Sequence, residues 1–231
     1  MASASKLVAS KSAPNEDYVI PPYAPEPPLK VTWNSGRKDM KVLAMTFDDG
    51  PHPQNTPRLL DMLKQRNVKA TFFTIGRSVD LHPQIAKRII TEGHEIGNHT
   101  YTHGNLSKMN ENGVRTELDK GRDAIVRATG STPKVMRPPY GALLTSQRQW
   151  VADNYSYPTI LWSVDPMDWK DRNAEIVSSR LISRARPGGI LLAHDLHKTT
   201  VDAMPKTLDS LLDQGYTFVT VSELIEMSSE Y

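Results

Sequence analysis

From Lys41 onward, short β-rich runs alternate with segments of helical periodicity, and this alternation constrains the fold more than any other feature of the chain. The runs are VLAMTF (42–47), ATFFTI (70–75), HEIGNH (94–99), VMRPPY (135–140), TILWSV (159–164), GILLAH (189–194) and YTFVTV (216–221). Between them, apolar residues recur at helical spacing. Thr56-Pro57 reads as an N-cap with proline at the first helical position, followed by Leu59, Leu60 and Leu63. Ile85, Ile89 and Ile90 follow His82-Pro83, and Val114, Leu118, Ile125 and Val126 mark a longer helix that Gly130 can end. Val177, Leu181 and Ile182, then Leu208, Leu211 and Leu212, complete the pattern. Strands alternating with helices call for a parallel sheet with crossover helices. About seven such units suit a distorted or incomplete (β/α) barrel of parallel strands with outer helices. A doubly wound open sheet satisfies the same periodicity.

Ahead of this pattern, residues 12–38 (SAPNEDYVIPPYAPEPPLKVTWNSGRK) are rich in proline and polar side chains, which disfavour a helix or a central strand. The expected organisation is a Pro-rich arm over 1–38 and one domain over 39–231. The chain contains no cysteine, so disulfides and thiolate ligands are excluded and any transition-metal site must use imidazole and carboxylate. Formal net charge is only +2, with 28 basic against 26 acidic side chains, which argues against a nucleic-acid footprint. No apolar stretch approaches the ~20 residues of a membrane helix, so membrane insertion is not expected. The opening MASASKLVAS lacks the apolar core of a secretory signal, so the chain either stays in the cytosol or is a trimmed form of an exported protein.

The chemically capable residues fall in one kind of place. Asp48 and Asp49 end the first strand, and His99 ends the third with His103 just beyond. Arg137 and Tyr140 end the fourth, Asp165 and Asp168 follow the fifth, and His194 ends the sixth. In a parallel barrel the C-terminal strand ends converge on one rim, where active sites are built. His99 and His103 are four apart, which puts both rings on one side of a helical turn or a strand, so they can clasp one ion with a carboxylate as third ligand. Simpler readings compete. Asp49-Gly50-Pro51 is also good turn chemistry, although that leaves Asp48 unexplained. His52, His82 and His94 read as surface, cap or strand positions, and His197 as a loop residue. Trp162 and Trp169 suit core or rim packing as well as stacking on a sugar ring. Residues 117–123, ELDKGRD, read as the solvated face of a helix.

Five ordered motifs carry a family resemblance: TFDDGP (46–51), HTYTH (99–103), RPPY (137–140), DPMDW (165–169) and LLAH (191–194). With them the chain resembles the polysaccharide deacetylases of the NodB-homology group, carbohydrate esterase family four, over residues 42–227. The resemblance implies a hydrolase that removes N-acetyl groups from N-acetylglucosamine units of chitin-type or peptidoglycan glycan; a monomer is expected. Acetylxylan esterase activity is the alternative within the family, and a non-catalytic carbohydrate-binding protein is a more distant one. It also implies a divalent ion, Zn2+ with Co2+ or Ni2+ as substitutes, on Asp49, His99 and His103. Asp48 would be the base, held by Arg137, and His194 the acid, oriented by Asp168. Tyr140 would offer its backbone N–H to the oxyanion, and Trp169 and Leu192 would line the acetyl pocket. Substrates of this class place the protein outside the cytoplasmic membrane or in the cell envelope.

Overall fold

The alternation is realised in a computed structural model that describes residues 30–229. A short strand β1 (Thr32–Trp33) precedes β2 (Val42–Asp48), helix α1 (Asn55–Gln65) and β3 (Thr71–Thr74). Two helices, α2 (Gly76–Leu81) and α3 (Pro83–Thr91), lead into β4 (Glu95–Asn98). The long α4 (Glu111–Thr129) and α5 (Thr145–Tyr155) come before β5 (Thr159–Ile160) and α6 (Ala174–Arg184). β6 (Gly189–His194), α7 (Lys198–Asp213), β7 (Thr217–Phe218) and α8 (Val221–Ser229) complete the domain. Of the arm expected over 1–38, residues 1–29 lie outside the described residues, and the remainder supplies β1.

The named strands pair in parallel, in the order β4-β3-β2-β6. Single parallel bridges then carry the pairing from Asn98 to Met136, from Met136 to Thr159, and from Val164 to Leu191 on β6. The path returns to its start, so the sheet is a closed, irregular barrel and the open-sheet alternative falls away. β7 bonds to Val42 and Leu43 on the edge of β2 that β3 occupies further along, and β1 pairs beside β5. The barrel is most broken where VMRPPY was expected to form a strand. Only Met136 bridges there, because Pro138 and Pro139 have no N–H to give a ladder.

β2 shows why its run is apolar throughout. All seven residues are buried. Leu43, Met45 and Phe47 meet the helices in one cluster with Leu59, Leu63 and Leu208. Val42 and Ala44 face the other way, in a second cluster with Phe73, Ile160 and Ile190 inside the barrel. Period-two alternation therefore also turns Thr46 and Asp48 inward. On β6 the same rule turns Ile190, Leu192 and His194 inward, and the parallel register sets Asp48 directly beside His194. Val221 and Leu224 of α8 join the inner cluster with Trp33 and Val42, closing the end opposite the site.

Two local expectations need correction. Thr56 is not the cap of α1, which begins at Asn55; the His52 Nδ1 accepts from the N–H groups of Gln54 and Asn55 instead. Val126 is not on the buried stripe of α4: it is exposed, and Ala124 beside Ile125 takes the buried place. Gly130 does end that helix, in the left-handed conformation at φ 75°. Among the described residues no helix is long and apolar enough to cross a membrane.

Candidate functional site

Two adjacent carboxylates repel unless the backbone sends them apart, and here it does. Asp48 is the last residue of β2 and points into the barrel. Asp49 adopts the left-handed region at φ 76°, which aspartate tolerates better than most residues, and turns its side chain toward the HTYTH loop. Gly50 is required at the next position, since a Cβ there would lie 2.3 Å from the Asp195 Oδ2. The turn is tied down further on: Thr56 Oγ1 accepts from the His52 N–H at 2.7 Å and donates to Asp195.

The loop that follows β4 delivers the imidazoles. Asp49 Oδ1 lies 3.4 Å from His99 Nε2 and 3.2 Å from His103 Nε2. One donor atom from each residue falls within 4.8 Å of the others. His99 Nδ1 sits 2.6 Å from the Arg137 carbonyl, which can only accept, so the proton is on Nδ1 and the Nε2 lone pair faces Asp49. Asp49 Oδ1 is closed to solvent and has no hydrogen-bond partner. Two lone pairs aimed at each other in a buried place repel, and a cation between them removes the repulsion. The donor set of two imidazoles and one carboxylate fits zinc, cobalt or nickel and leaves coordination positions open.

Arg137 is completely buried, a state that a guanidinium tolerates only when its donors are matched. They are. One nitrogen donates to Asp48 Oδ1 at 2.6 Å and to Thr46 Oγ1 at 2.7 Å, and the others reach the carbonyls of Ile160 and Leu161. The Phe73 ring lies 4.1 Å from its centre. Burial pulls its pKa below the ordinary value while Asp48 opposes the shift. The result is a carboxylate fixed in direction, with its Oδ2 left 3.8 Å from His99.

Opposite, the His194 Nδ1 is 2.8 Å from Asp168 Oδ1. Asp168 is fully buried and accepts two further hydrogen bonds on Oδ2, from the His194 N–H at 2.8 Å and the Thr200 hydroxyl at 2.7 Å. Burial disfavours charge on His194, but the hydrogen bond and the charge of Asp168 outweigh it and push the imidazole up to about 9. Burial would likewise raise Asp168, yet the bonds from His194 and Thr200 hold its carboxyl below the usual range. His194 is therefore cationic near neutral pH.

These groups meet around one cavity of about 470 Å³. Asp48, Asp49, His99, His103, Tyr140, Trp169, Leu192 and His194 all line it. Arg137 and Asp168 stand behind the wall, gripping Asp48 and His194. Trp162, left between core and rim, faces the cavity, and its ring also lies 5.7 Å from the Arg137 guanidinium. Tyr140 is held at φ 62° with its ring edge-on to His103, 4.8 Å away, and Trp169 is half exposed at the mouth. His197 does more than close a loop, because it too faces the cavity; burial and the nearby Arg172 lower its pKa to about 4. Glu117 departs from the solvated face expected of residues 117–123: it is buried, and its carboxylate binds the HTYTH loop. Asp195, which no motif reading singles out although it directly follows LLAH, is fully buried, and burial raises its carboxyl to about 7.

Known proteins are similar to this chain in sequence and in fold. The family profile described as polysaccharide deacetylase matches residues 35–159. The chain is 46% identical over 187 residues to the peptidoglycan-N-acetylglucosamine deacetylase PgdA of Listeria monocytogenes, covering 81% of this chain and only 39% of that one. It thus spans about two-fifths of that relative's length. A peptidoglycan-N-acetylglucosamine deacetylase of Bacillus cereus is 40% identical over 200 residues, covering 85% of this chain and 72% of its own. The crystal structure of a peptidoglycan N-acetylglucosamine deacetylase in complex with 4-naphthalen-1-yl-N-oxidanyl-benzamide superposes with a TM-score of 0.81 at 40% identity, over 86% of this chain and 94% of that one. From its motifs, its fold and these matches, the chain belongs to the polysaccharide deacetylase family.

Proposed function

We propose that this protein is a metal-dependent hydrolase that removes the acetyl group from N-acetylglucosamine units of peptidoglycan glycan at the cell envelope. One observation carries the reading. Across a single cavity, an Asp-His-His cluster faces a cationic imidazole, with an Arg-held carboxylate between them. Relatives named for peptidoglycan N-acetylglucosamine support the substrate class. Chitooligosaccharides carry the same acetylated unit and belong to the same proposal.

Asp49, His99 and His103 would hold the divalent ion, which supplies Lewis-acid polarisation of the amide carbonyl and a lowered pKa for water, from 15.7 toward ~7. Asp48 takes the proton from the attacking water. Its salt bridge to Arg137 weakens it as a base but fixes its aim, and positioned bases contribute ~10²–10⁴-fold. The Tyr140 backbone N–H would meet the developing oxyanion. His194 gives a proton to the departing amine, which is too basic to leave without one. Asp168 keeps that proton available through the hydrogen bond and charge already described. Leu192, inward on β6 and 3% exposed, and Trp169 at the mouth would flank the acetyl methyl group and the sugar ring.

The test is acetate release from peptidoglycan glycan, chitooligosaccharides and acetylxylan, with zinc, cobalt or nickel and with a chelator. The expected result is acetate from the N-acetylated glycans, lost on chelation and restored by metal. Asp48→Asn is expected to keep metal and lose at least ~10²-fold in turnover. Full turnover after exhaustive chelation would overturn the metal reading, near-normal activity of Asp48→Asn would reject the base, and release from acetylxylan alone would make the protein an O-acetyl esterase.

A further inference from the structure

We infer that Glu117 is a positioning residue for the metal cluster: its carboxylate, reaching out of helix α4, grips the loop that carries His99 and His103, and affinity for the cation depends on that grip. The inference rests on the Asp49, His99, His103 reading of the site.

The loop needs an external restraint. Thr100 sits at φ 66° and His103 at φ 65°, both in the left-handed region, which is unfavourable for a β-branched residue such as threonine. A chain free to relax would leave this conformation and carry the imidazoles away from Asp49. Glu117 opposes that on one side. Its Oε2 accepts the backbone N–H of Tyr101 at 3.0 Å and of Thr102 at 2.8 Å, and its Oε1 accepts the Thr102 hydroxyl at 2.8 Å. On the other side, the Gly76 and Arg77 N–H groups at the start of α2 donate to the carbonyls of Thr100 and Tyr101, at 2.9 and 3.1 Å. The residues between the two histidines are thus held by their donors and their acceptors at once.

The helix is shaped for this contact. Glu117 is 9% exposed on a helix whose neighbouring charges face solvent. Gly121, one turn on, lets α4 approach: a Cβ there would lie 2.5 Å from Asn98 Oδ1 and 3.1 Å from the Thr100 carbonyl. Asn98 completes the join, donating to the Leu118 carbonyl at 2.9 Å while its Oδ1 accepts the Thr100 N–H at 2.9 Å. A salt bridge or a helix cap would not need a glycine placed to admit the loop. Groups that orient metal ligands from behind typically change affinity by ~10–100-fold when removed.

The experiment is zinc affinity by competition with a fluorescent chelator, together with thermal unfolding of the metal-free protein, on the whole chain. Glu117→Ala is expected to weaken zinc binding by ~10–100-fold. Glu117→Gln is the rescue: its amide oxygen can accept both N–H groups and its NH₂ can donate to the Thr102 hydroxyl, so affinity should stay within a few-fold of the parent. Glu117→Asp keeps the charge but withdraws it by one methylene, and should weaken binding like the alanine variant, which covers the case where Glu117→Ala does not fold. Ile125→Val, in the core two turns further along α4, controls for loss of stability alone. Parent-like affinity in both Glu117→Asp and Glu117→Ala overturns the inference, as does an equal loss in Ile125→Val. His103→Ala separates the two readings: if it still binds one equivalent of zinc, the cluster assignment itself is wrong and the inference falls with it. Loss of zinc in His103→Ala with parent-like affinity in the Glu117 variants rejects the role of Glu117 alone.

Discussion

Replacing Asp168 by asparagine tests the acid function with the smallest change in shape. The Asp168 carboxylate, with smaller contributions from the charges of Asp48 and Asp49, raises His194 from 6.5 to about 9 against the opposing effect of burial. At ~1.36 kcal/mol per pH unit, this corresponds to ~3 kcal/mol favouring the imidazolium. Asparagine can place its oxygen where Oδ2 now accepts the His194 N–H and the Thr200 hydroxyl, leaving its NH₂ against Nδ1. Nδ1 must then accept, so the ring loses both the charge partner and the tautomer that suit protonation. If the imidazole falls to 6.5, its protonated fraction at pH 8 drops from roughly 90% to roughly 3%, a ~30-fold loss that reverses on acidification. The assay is kcat/KM for acetate release between pH 5 and 10 at saturating metal. A cation nearby lowers both profiles, so the quantity to read is the displacement of the alkaline limb between parent and variant. A limb that does not move, or a loss uniform across pH, would refute this account of His194.

The remaining predictions concern other parts of the site and the fold. His194→Ala should slow N-acetylated glycans more than activated acetyl esters, whose leaving groups need no proton; equal losses in kcat on both would count against the acid. Gly50→Ala drives a Cβ into Asp195 and should destabilise the chain by ~1–3 kcal/mol, as overpacking does, measured by urea unfolding. His94, buried with its Nδ1 accepting the Ala70 N–H, is lowered to about 4 by burial and by Lys69. A group held neutral in the fold but protonated in the unfolded chain contributes stability above pH 6.5 that is lost as pH falls toward 4, here at most ~3 kcal/mol. Urea unfolding with chelator present should show that loss. His94→Asn, which retains an acceptor near Nδ1, should reduce it, and an unchanged slope would contradict the assignment; His197, also lowered to about 4, contributes with the same sign.

Much of the molecule could be read from residues alone. Short β-rich runs such as VLAMTF announced strands, and helical spacing supplied the crossovers, because both signals arise from local periodicity. The motif residues could be placed at one rim because a parallel barrel brings C-terminal strand ends together whatever their separation in the chain. What was lost was whatever depends on a neighbour's position. RPPY looked like a strand end until two prolines left the barrel a single bridge there, and Val126 fit the helical stripe until packing selected Ala124 instead.

The sequence by itself determined an α/β chain of parallel strands with crossover helices and motif residues at the strand ends, since hydrophobic period and strand polarity are properties of consecutive residues. Only the tertiary structure shows how Asp48 and Asp49 are turned apart, through a left-handed turn at Asp49 and a buried arginine from far along the chain that grips Asp48. The same holds for Glu117, whose charge on a helix face looks solvated in any linear reading. Whether a carboxylate meets water or two peptide N–H groups is set by which element packs over it, and that information does not reside in its neighbours along the chain.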